Sequence, residues 1–284
     1  VVLFVFAVVT VTFADTYVSG DVSGVWEAIW SPYYVIGEIH ISPGDTLRIM
    51  PGVLVIFQGH YKFCVDSNAV LEAIGADTDS ILFTAADTAV GWHGIRFYHA
   101  NSGCRLGYCG IEYGKATDGD DANHSSDDCG GGIYCYHCNL TVSNSSVRGN
   151  LADDYGGGVY CDHSNLSITA SAISRNSAYY GGGIYCNYSS SPTIADNTIS
   201  GNSAEQVGGG ICCNYSDPTI TTNAISRNSA CYGGGIYSYY SDPAVMGNTI
   251  SENRAEGYGG GICCYKSDSL ITSNTVSGNS AYHG

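Results

Sequence analysis

Residues 181–204 read GGGIYCNYSSSPTIADNTISGNSA, and versions of this sentence recur six times between Gly130 and Gly284. The glycine triplets open at Gly130, Gly156, Gly181, Gly208, Gly233 and Gly259, and Gly284 stands where a seventh copy would begin. The steps are 26, 25, 27, 25, 26 and 25 residues. A period in that range describes stacked units, none of which buries its apolar face alone.

The columns of the alignment select the architecture. The apolar runs are three to five residues long and β-branched, too short for helical repeats. There is no leucine scaffold, and no Asp recurs after Gly-Gly-x-Gly as calcium-binding nonapeptide coils require. What remains is an all-β fold, a single-stranded parallel β-helix. Ile133, Val159, Ile184, Ile211, Ile236 and Ile262 form one inner column, and Cys135, Cys161, Cys186, Cys213, Ser238 and Cys264 lie two residues on. Alternation sends Tyr134, Tyr160, Tyr185 and Tyr237 to the opposite side. Val142, Ile168, Ile194, Ile220, Val245 and Ile271 supply a second inner wall, and Val147, Ile173, Ile199, Ile225, Ile250 and Val276 a third. Asn columns flank the third wall: Asn197, Asn223, Asn248 and Asn274 before it, Asn150, Asn176, Asn202, Asn228, Asn253 and Asn279 after it. Stacked Asn side chains hydrogen-bond from coil to coil and tolerate bent backbone. No Lys-Ser/Thr follows any glycine triplet, so the glycines read as architecture and not as a phosphate loop.

The phrase Ile199 to Ala204 followed by Gly208 to Ile211 resembles the repeat of the chlamydial polymorphic outer-membrane proteins. That family writes Phe-x-x-Asn and Gly-Gly-Ala-Ile; here Ile or Val stands for the Phe and Gly for the Ala. The likeness covers residues 130–284 and implies a secreted or surface-displayed protein. Upstream, Ser31-Pro32-Tyr33-Tyr34-Val35, Gly44-Asp45-Thr46-Leu47, Pro51-Gly52-Val53 and Gly91-Trp92-His93-Gly94-Ile95 resemble the opening of bacterial secreted proteins of the pectin-lyase-like group. The resemblance implies a right-handed helix.

From the start of the chain, Val1 to Ala14 is an apolar run ending Thr12-Phe13-Ala14, too short to span a membrane, and reads as a signal peptide without its Met and basic start. Residues 15–114 read as irregular coils, with short apolar runs at Tyr33 to Ile41, Thr46 to Ile49, Val53 to Phe57, Tyr61 to Val65, Ala69 to Ala73 and Ile81 to Thr84. Residues 15–38 are expected to form an N-terminal cap over a sheet edge. Residues 130–284 form six regular coils with an open C-terminal end, expected to continue in a longer protein. The net charge of −16, with only ten scattered Lys and Arg, argues against nucleic acid and anionic lipid as partners.

Candidate chemistry is sparse. Residues 115–129 break the pattern with an acidic loop in which Asp118, Asp120, Asp121, Asp127 and Asp128 concentrate hard oxygen donors. The loop reads as a solvated segment or as a Ca2+ site, though its spacing is not that of an EF-hand; no other cofactor is implied. Of thirteen cysteines, the stacked column reads as a buried thiol ladder. Cys104, Cys109, Cys129, Cys138 and Cys231 lie off that column and are the better disulfide candidates. Cys135-Tyr136-His137-Cys138 is a single C-x-x-C with no second pair, a weak zinc signal. Asp217, Asp242 and Asp268 recur at Ser-Asp turns and are expected to cap bends. His137, His163, Tyr188, Tyr215 and Tyr240 occupy one outward column ending at Lys266. Such a stripe stacks on sugar rings or a protein partner, or on itself. The chain thus reads as a non-catalytic secreted or cell-surface stalk that binds polysaccharide or a surface protein. The alternative is a polysaccharide lyase or glycosidase with carboxylates on one outer face.

Overall fold

The computed structural model describes residues 15–117 and 126–283; the signal-peptide expectation for residues 1–14 and most of the acidic loop lie outside them. The described chain winds into a solenoid in which every named strand pairing is parallel. One wall begins with residues 20–21 of the strand Thr16–Asp21 and continues through residues 39–41 of Tyr33–Ile41, Phe63–Val65, Ile95–Tyr98 and Ile133–Tyr136 to Ile262–Tyr265. A second wall of ten strands runs from Gly24–Trp26 to Leu270–Thr272, one strand per coil, which gives ten coils. A third runs from residues 33–35 through Leu54–Phe57 and Ile81–Ala85 to Thr275–Ser277. The sequence pattern leaves a fourth wall unannounced: among the described residues, seven short strands run from Lys115–Ala116 to Ser280–His283, sharing an Ala as their second residue.

Identical columns stack in register, as the periodicity requires. Ile133 pairs with Val159, Val159 with Ile184, Ile184 with Ile211, and Ile211 with Ile236; all five are fully buried. The second and third inner columns are equally buried until the last coil, where Ile271 and Val276 are about half exposed. The core changes character along the axis. In the first coils it is aromatic, with Trp26 stacked on Tyr33 at 4.5 Å and Phe57 on Trp92 at 4.1 Å; from Ile133 onward it is aliphatic with cysteine. The segment read as an N-terminal cap winds as a coil of the solenoid, with Thr16–Asp21 paired to Tyr33–Ile41 and Gly24–Trp26 to Thr46–Ile49.

Each glycine of a triplet answers a different constraint. Gly130 holds a left-handed φ of 67°, open to glycine without penalty. A Cβ on Gly131 would collide with the Leu151 carbonyl of the next coil, and one on Gly132 would lie 2.9 Å from Asn150 Nδ2. The triplet is therefore where two coils touch backbone to backbone beside the Asn ladder.

That ladder is continuous. Nδ2 of Asn150, Asn176, Asn202, Asn228 and Asn253 donates to Oδ1 of the Asn in the following coil at 2.9–3.0 Å. A second ladder links Asn197, Asn223, Asn248 and Asn274. The strained backbone is not on these Asn residues but on their predecessors, such as Arg175 at φ 56° and Arg227 at φ 56°. Except in the last coil, where Asn274 and Asn279 are half-buried, the ladder Asn side chains are buried, and their main bonds run from coil to coil. The Asp column caps as expected: Asp217 Oδ1 accepts from the Asp242 backbone N at 2.7 Å, and Asp242 Oδ1 from that of Asp268 at 2.6 Å.

Within the six regular copies that start at Gly130, coil length varies at two corners only. Between the small buried Ala of the fourth wall and the next triplet there are either two residues (Tyr179, Tyr180) or three (Glu205 to Val207), and the ladder slips there between Ala178 and Tyr180. The other variable corner is Tyr188-Ser189, where both residues take positive φ, 20° and 51°.

Candidate functional site

The outward column at the end of the first wall forms the most regular feature of the surface. His99, His137, His163, Tyr188, Tyr215, Tyr240 and Lys266 each follow a wall strand directly and turn the chain at positive φ. Their backbones are tied coil to coil: His137 N donates to the Asp162 carbonyl at 3.1 Å and Tyr215 N to the Tyr239 carbonyl at 3.1 Å. Left-handed backbone costs a non-glycine residue about 1–2 kcal/mol, and ring stacking offsets part of that cost.

The rings stack along the axis. Centroids are 5.1 Å apart from His99 to His137, 4.7 Å to His163, 6.1 Å to Tyr188, 5.5 Å to Tyr215 and 5.2 Å to Tyr240. The interplanar angles lie between 5° and 29°, and the widest step falls at the extra residue of the Tyr188-Ser189 corner. Lys266 closes the row, its Nζ 4.7 Å from the Tyr240 centroid and donating to the Tyr240 hydroxyl. That bond holds the Lys266 pKa above the ordinary value, with the nearby tyrosines adding to it. His163 Nδ1 lies 2.7 Å from Asp162 Oδ1. Tyr188, Tyr215 and Tyr240 remain 47 %, 42 % and 39 % exposed.

All five residues singled out from the sequence therefore share one stripe. Sequence reasoning missed His99, because its coil lacks the glycine triplet that numbers the others. Of the alternatives open for such a stripe, the rings stack on one another. The ring faces are turned toward one another, so what reaches solvent is a row of edges, hydroxyls and imidazole nitrogens.

The neighbouring Tyr134, Tyr160 and Tyr185 column, expected on the working surface, is covered. The three rings are only 5–6 % exposed, because the residues before each next triplet fold back over them. Tyr155 packs 4.9 Å from Tyr185 and stacks on Tyr180 at 5.2 Å. Tyr160 donates to Asp162 Oδ2 at 3.2 Å and accepts from Asn187 Nδ2 at 3.0 Å. Burial pushes the Tyr134, Tyr160 and Tyr185 phenols well above their ordinary range. This is a second, satellite core.

One coil before Tyr134, the same column holds a residue that sequence reading passed over. Arg96 pairs in register with Tyr134 and is fully buried. Its guanidinium donates to the carbonyls of His93 at 3.3 Å, Cys129 at 2.7 Å and Gly130 at 3.1 Å, and to that of Ser126. It also lies 4.6 Å from the Tyr134 centroid. Beside it, Lys62 Nζ donates to Asp127 Oδ2 at 2.7 Å. Burial opposes both charges, but the pairing outweighs it, raising the Lys62 pKa and lowering that of Asp127. His93 is buried with its Nε2 4.0 Å from Asp127 Oδ1, and among the described residues that nitrogen has no hydrogen-bond partner. Burial, reinforced by Arg96, His60 and Lys62, lowers its pKa to about 3.

Of the acidic residues considered for Ca2+, Asp118, Asp120 and Asp121 lie outside the described residues. Asp127 and Asp128 sit on the single turn Ser126–Asp128, with Asp128 buried. Among the described residues, no group of three or more His, Cys, Asp or Glu side chains is placed to hold a metal ion.

The cysteine expectations divide. Cys161, Cys186 and Cys213 form the buried thiol ladder, with Cys186 in hydrogen-bond contact with Cys161. Cys135, read as the first rung, is instead joined to Cys138 by a disulfide. The bend at His137 swings Cys138 inward beneath the column, which side-chain alternation along a straight strand does not anticipate. Cys104, Cys109 and Cys231, expected as disulfide candidates, are thiols.

Stacked parallel strands, inward aliphatic columns and one glycine-rich contact per coil define a fold that sequence comparison also finds. The family described as "Right handed beta helix region" matches residues 131–283. The chain belongs to the right-handed β-helix family. No curated protein matches it. In this β-helix no described helix is long and apolar enough to cross a membrane.

Proposed function

We propose that this β-helix is a non-catalytic, secreted or cell-surface binding protein whose His/Tyr ladder holds a glycan or protein partner. The observation that carries this reading is the unbroken row from His99 to Lys266, exposed in its histidine and tyrosine coils alike. Each strand step of about 4.8 Å repeats the same edge-on donor and acceptor groups. The ligand class this suits is a linear polymer with recurring hydroxyl or amide groups, held by hydrogen bonds to ring edges.

The test is a glycan array followed by affinity electrophoresis with any polysaccharide retained. The triple variant Y188A/Y215A/Y240A is expected to lose retention while keeping its β circular dichroism. Retention equal to the parent protein would remove the ladder from the function.

A second reading, a polysaccharide lyase or glycosidase, draws on the Lys62, His93 and Asp127 group in the irregular coils. Against it, the Lys62 and Asp127 charges bond each other and the neighbouring Arg96 donates to backbone carbonyls. Release of unsaturated or reducing sugar, abolished by K62M, would reverse the preference.

A further inference from the structure

A different outer column, at the end of the third wall, carries a pattern that the ladder does not explain. Coil by coil it reads Tyr113, Gly149, Arg175, Gly201, Arg227, Glu252 and Gly278, all in left-handed backbone with φ between 56° and 65°. The preceding residues fix the alignment: Glu112 pairs with Arg148, Arg148 with Ser174, Ser174 with Ser200, and Ser200 with Ser226. Through five coils a long side chain alternates with none. Tyr, Arg and Glu all adopt this backbone here, so the bend itself does not demand glycine at 149 and 201. What the two glycines contribute is space.

The space is occupied from one side. A Cβ on Gly149 would lie 3.5 Å from the Tyr113 ring, and one on Gly201 3.9 Å from Arg175 Cγ. Tyr113 therefore leans over the first notch and Arg175 over the second, toward Arg227. Together with Arg148, Ser174 and Ser200 they line a groove of about 510 Å3. Tyr113 is half-buried against the core and has no aromatic partner among the described residues.

The charge in this groove is out of keeping with the rest of the molecule. The chain has ten Lys and Arg against 26 Asp and Glu, yet three arginines converge here. Arg148 pairs with Glu112, and Arg227 Nε with Glu252 Oε2 at 2.8 Å. Among the described residues, Arg175 has no carboxylate within ion-pair distance. A guanidinium left unneutralised beside a second one is a fork for an oxyanion, which it grips through two parallel N–H groups.

We propose that this groove binds a linear polysaccharide bearing carboxylate or sulfate-ester groups, with a sugar ring against Tyr113 and an oxyanion between Arg175 and Arg227 over Gly201. A free inorganic anion would need one guanidinium and no groove. From Tyr113 to Arg227 the column spans four strand steps, about 19 Å, with an aromatic face at one end and guanidinium at the other. The site does not depend on the ladder reading, since it lies on another wall and uses none of the same residues.

The test is affinity electrophoresis of the full chain through dextran sulfate, polygalacturonate and neutral dextran. Retention by at least one polyanion and not by neutral dextran is expected, and which polyanion retains the protein tells sulfate ester from carboxylate. R175Q removes the unpaired charge, and G201N fills the notch with a residue that tolerates left-handed backbone. Each is expected to weaken binding about tenfold or more, with melting temperature unchanged, whereas R105Q on another wall leaves binding intact. Failure of both polyanions to retain the protein would overturn the proposal, as would equal losses in R175Q and R105Q. Loss of polyanion binding in Y188A/Y215A/Y240A with R175Q unaffected would overturn it too, by moving the contact to the ladder.

Discussion

Asn176 and Asn202 are joined twice across one coil step: both the side-chain Nδ2 and the backbone N of Asn176 donate to Asn202 Oδ1, each at 3.0 Å. Asn176 Nδ2 also reaches the Val147 carbonyl at 3.0 Å. Truncating Asn176 to Ala strands a buried N–H and a buried carbonyl, at about 1–3 kcal/mol for each group left unsatisfied. N176A is expected to lower the urea midpoint clearly, while T198A on the exposed face of the third wall leaves it nearly unchanged. Equal midpoints would deny the ladder its stabilising role.

Arg96 acts as a latch on residues 126–130, since its guanidinium collects the carbonyls of Ser126, Cys129 and Gly130. Removing the guanidinium leaves buried carbonyls without a donor, at about 1–3 kcal/mol for each one left unsatisfied. R96A is expected to open residues 126–130 to protease before the coils unfold, and R96K, lacking the fork, rescues little. Limited proteolysis with mass mapping checks this; cleavage elsewhere in the coils before that segment opens would contradict it.

His93 gives the protein a dependence on acid. Its folded pKa of about 3 lies below the usual 6.5, so the unfolded chain binds the proton more readily between those values. The stability it contributes is complete above pH 6.5 and is lost as pH falls toward 3, by up to about 1.4 kcal/mol per pH unit. The lowered pKa of Asp127, held by Lys62, adds a loss that begins only in the carboxylate range. Melting temperatures of H93Q between pH 4 and 7 should fall less steeply than those of the parent protein.

Tyr215 weighs stacking against backbone strain. It stacks on Tyr188 and Tyr240 while holding φ at 48°. Y215A loses the rings and keeps the strain; Y215G loses both. The glycine variant is therefore expected to melt above the alanine variant, by about 1 kcal/mol of stability. The reverse order would mean that the bend at this column is unstrained.

Thiol reactivity should follow depth. Cys264 is exposed and Cys231 and Cys263 partly so, whereas Cys161, Cys186 and Cys213 are buried. Burial pushes the Cys213 thiol far above its ordinary range. An alkylating reagent is expected to mark only the first three in the native protein and the ladder thiols only in denaturant. Native labelling at Cys186 would contradict the packing.

Wherever identity repeats at a fixed spacing, the fold was legible: the Ile and Asn columns, the Asp caps and the ladder from His137 to Tyr240 all depend on registration alone. What escaped depends on the path of the chain between strands. The cover over Tyr160 comes from residues whose number varies between coils, so no column marks it. Arg96 sits in an irregular coil where nothing repeats, and its partners are backbone carbonyls that carry no side-chain signature. Cys138 turns inward because His137 adopts positive φ, a choice that composition leaves open. The notches at Gly149 and Gly201 hide in plain view, since glycine in a bend is ordinarily explained by the bend.

The confinement of coil-length variation to two corners bears on how such a chain changes over generations. A residue gained beside Ser189 or ahead of a glycine triplet is absorbed locally, and the walls above and below keep their alignment. Those corners are the places where the solenoid could acquire a decorative loop, or lose one, without renegotiating its interior. The remaining perimeter is a template in which a single inserted residue would turn a stretch of strand inside out.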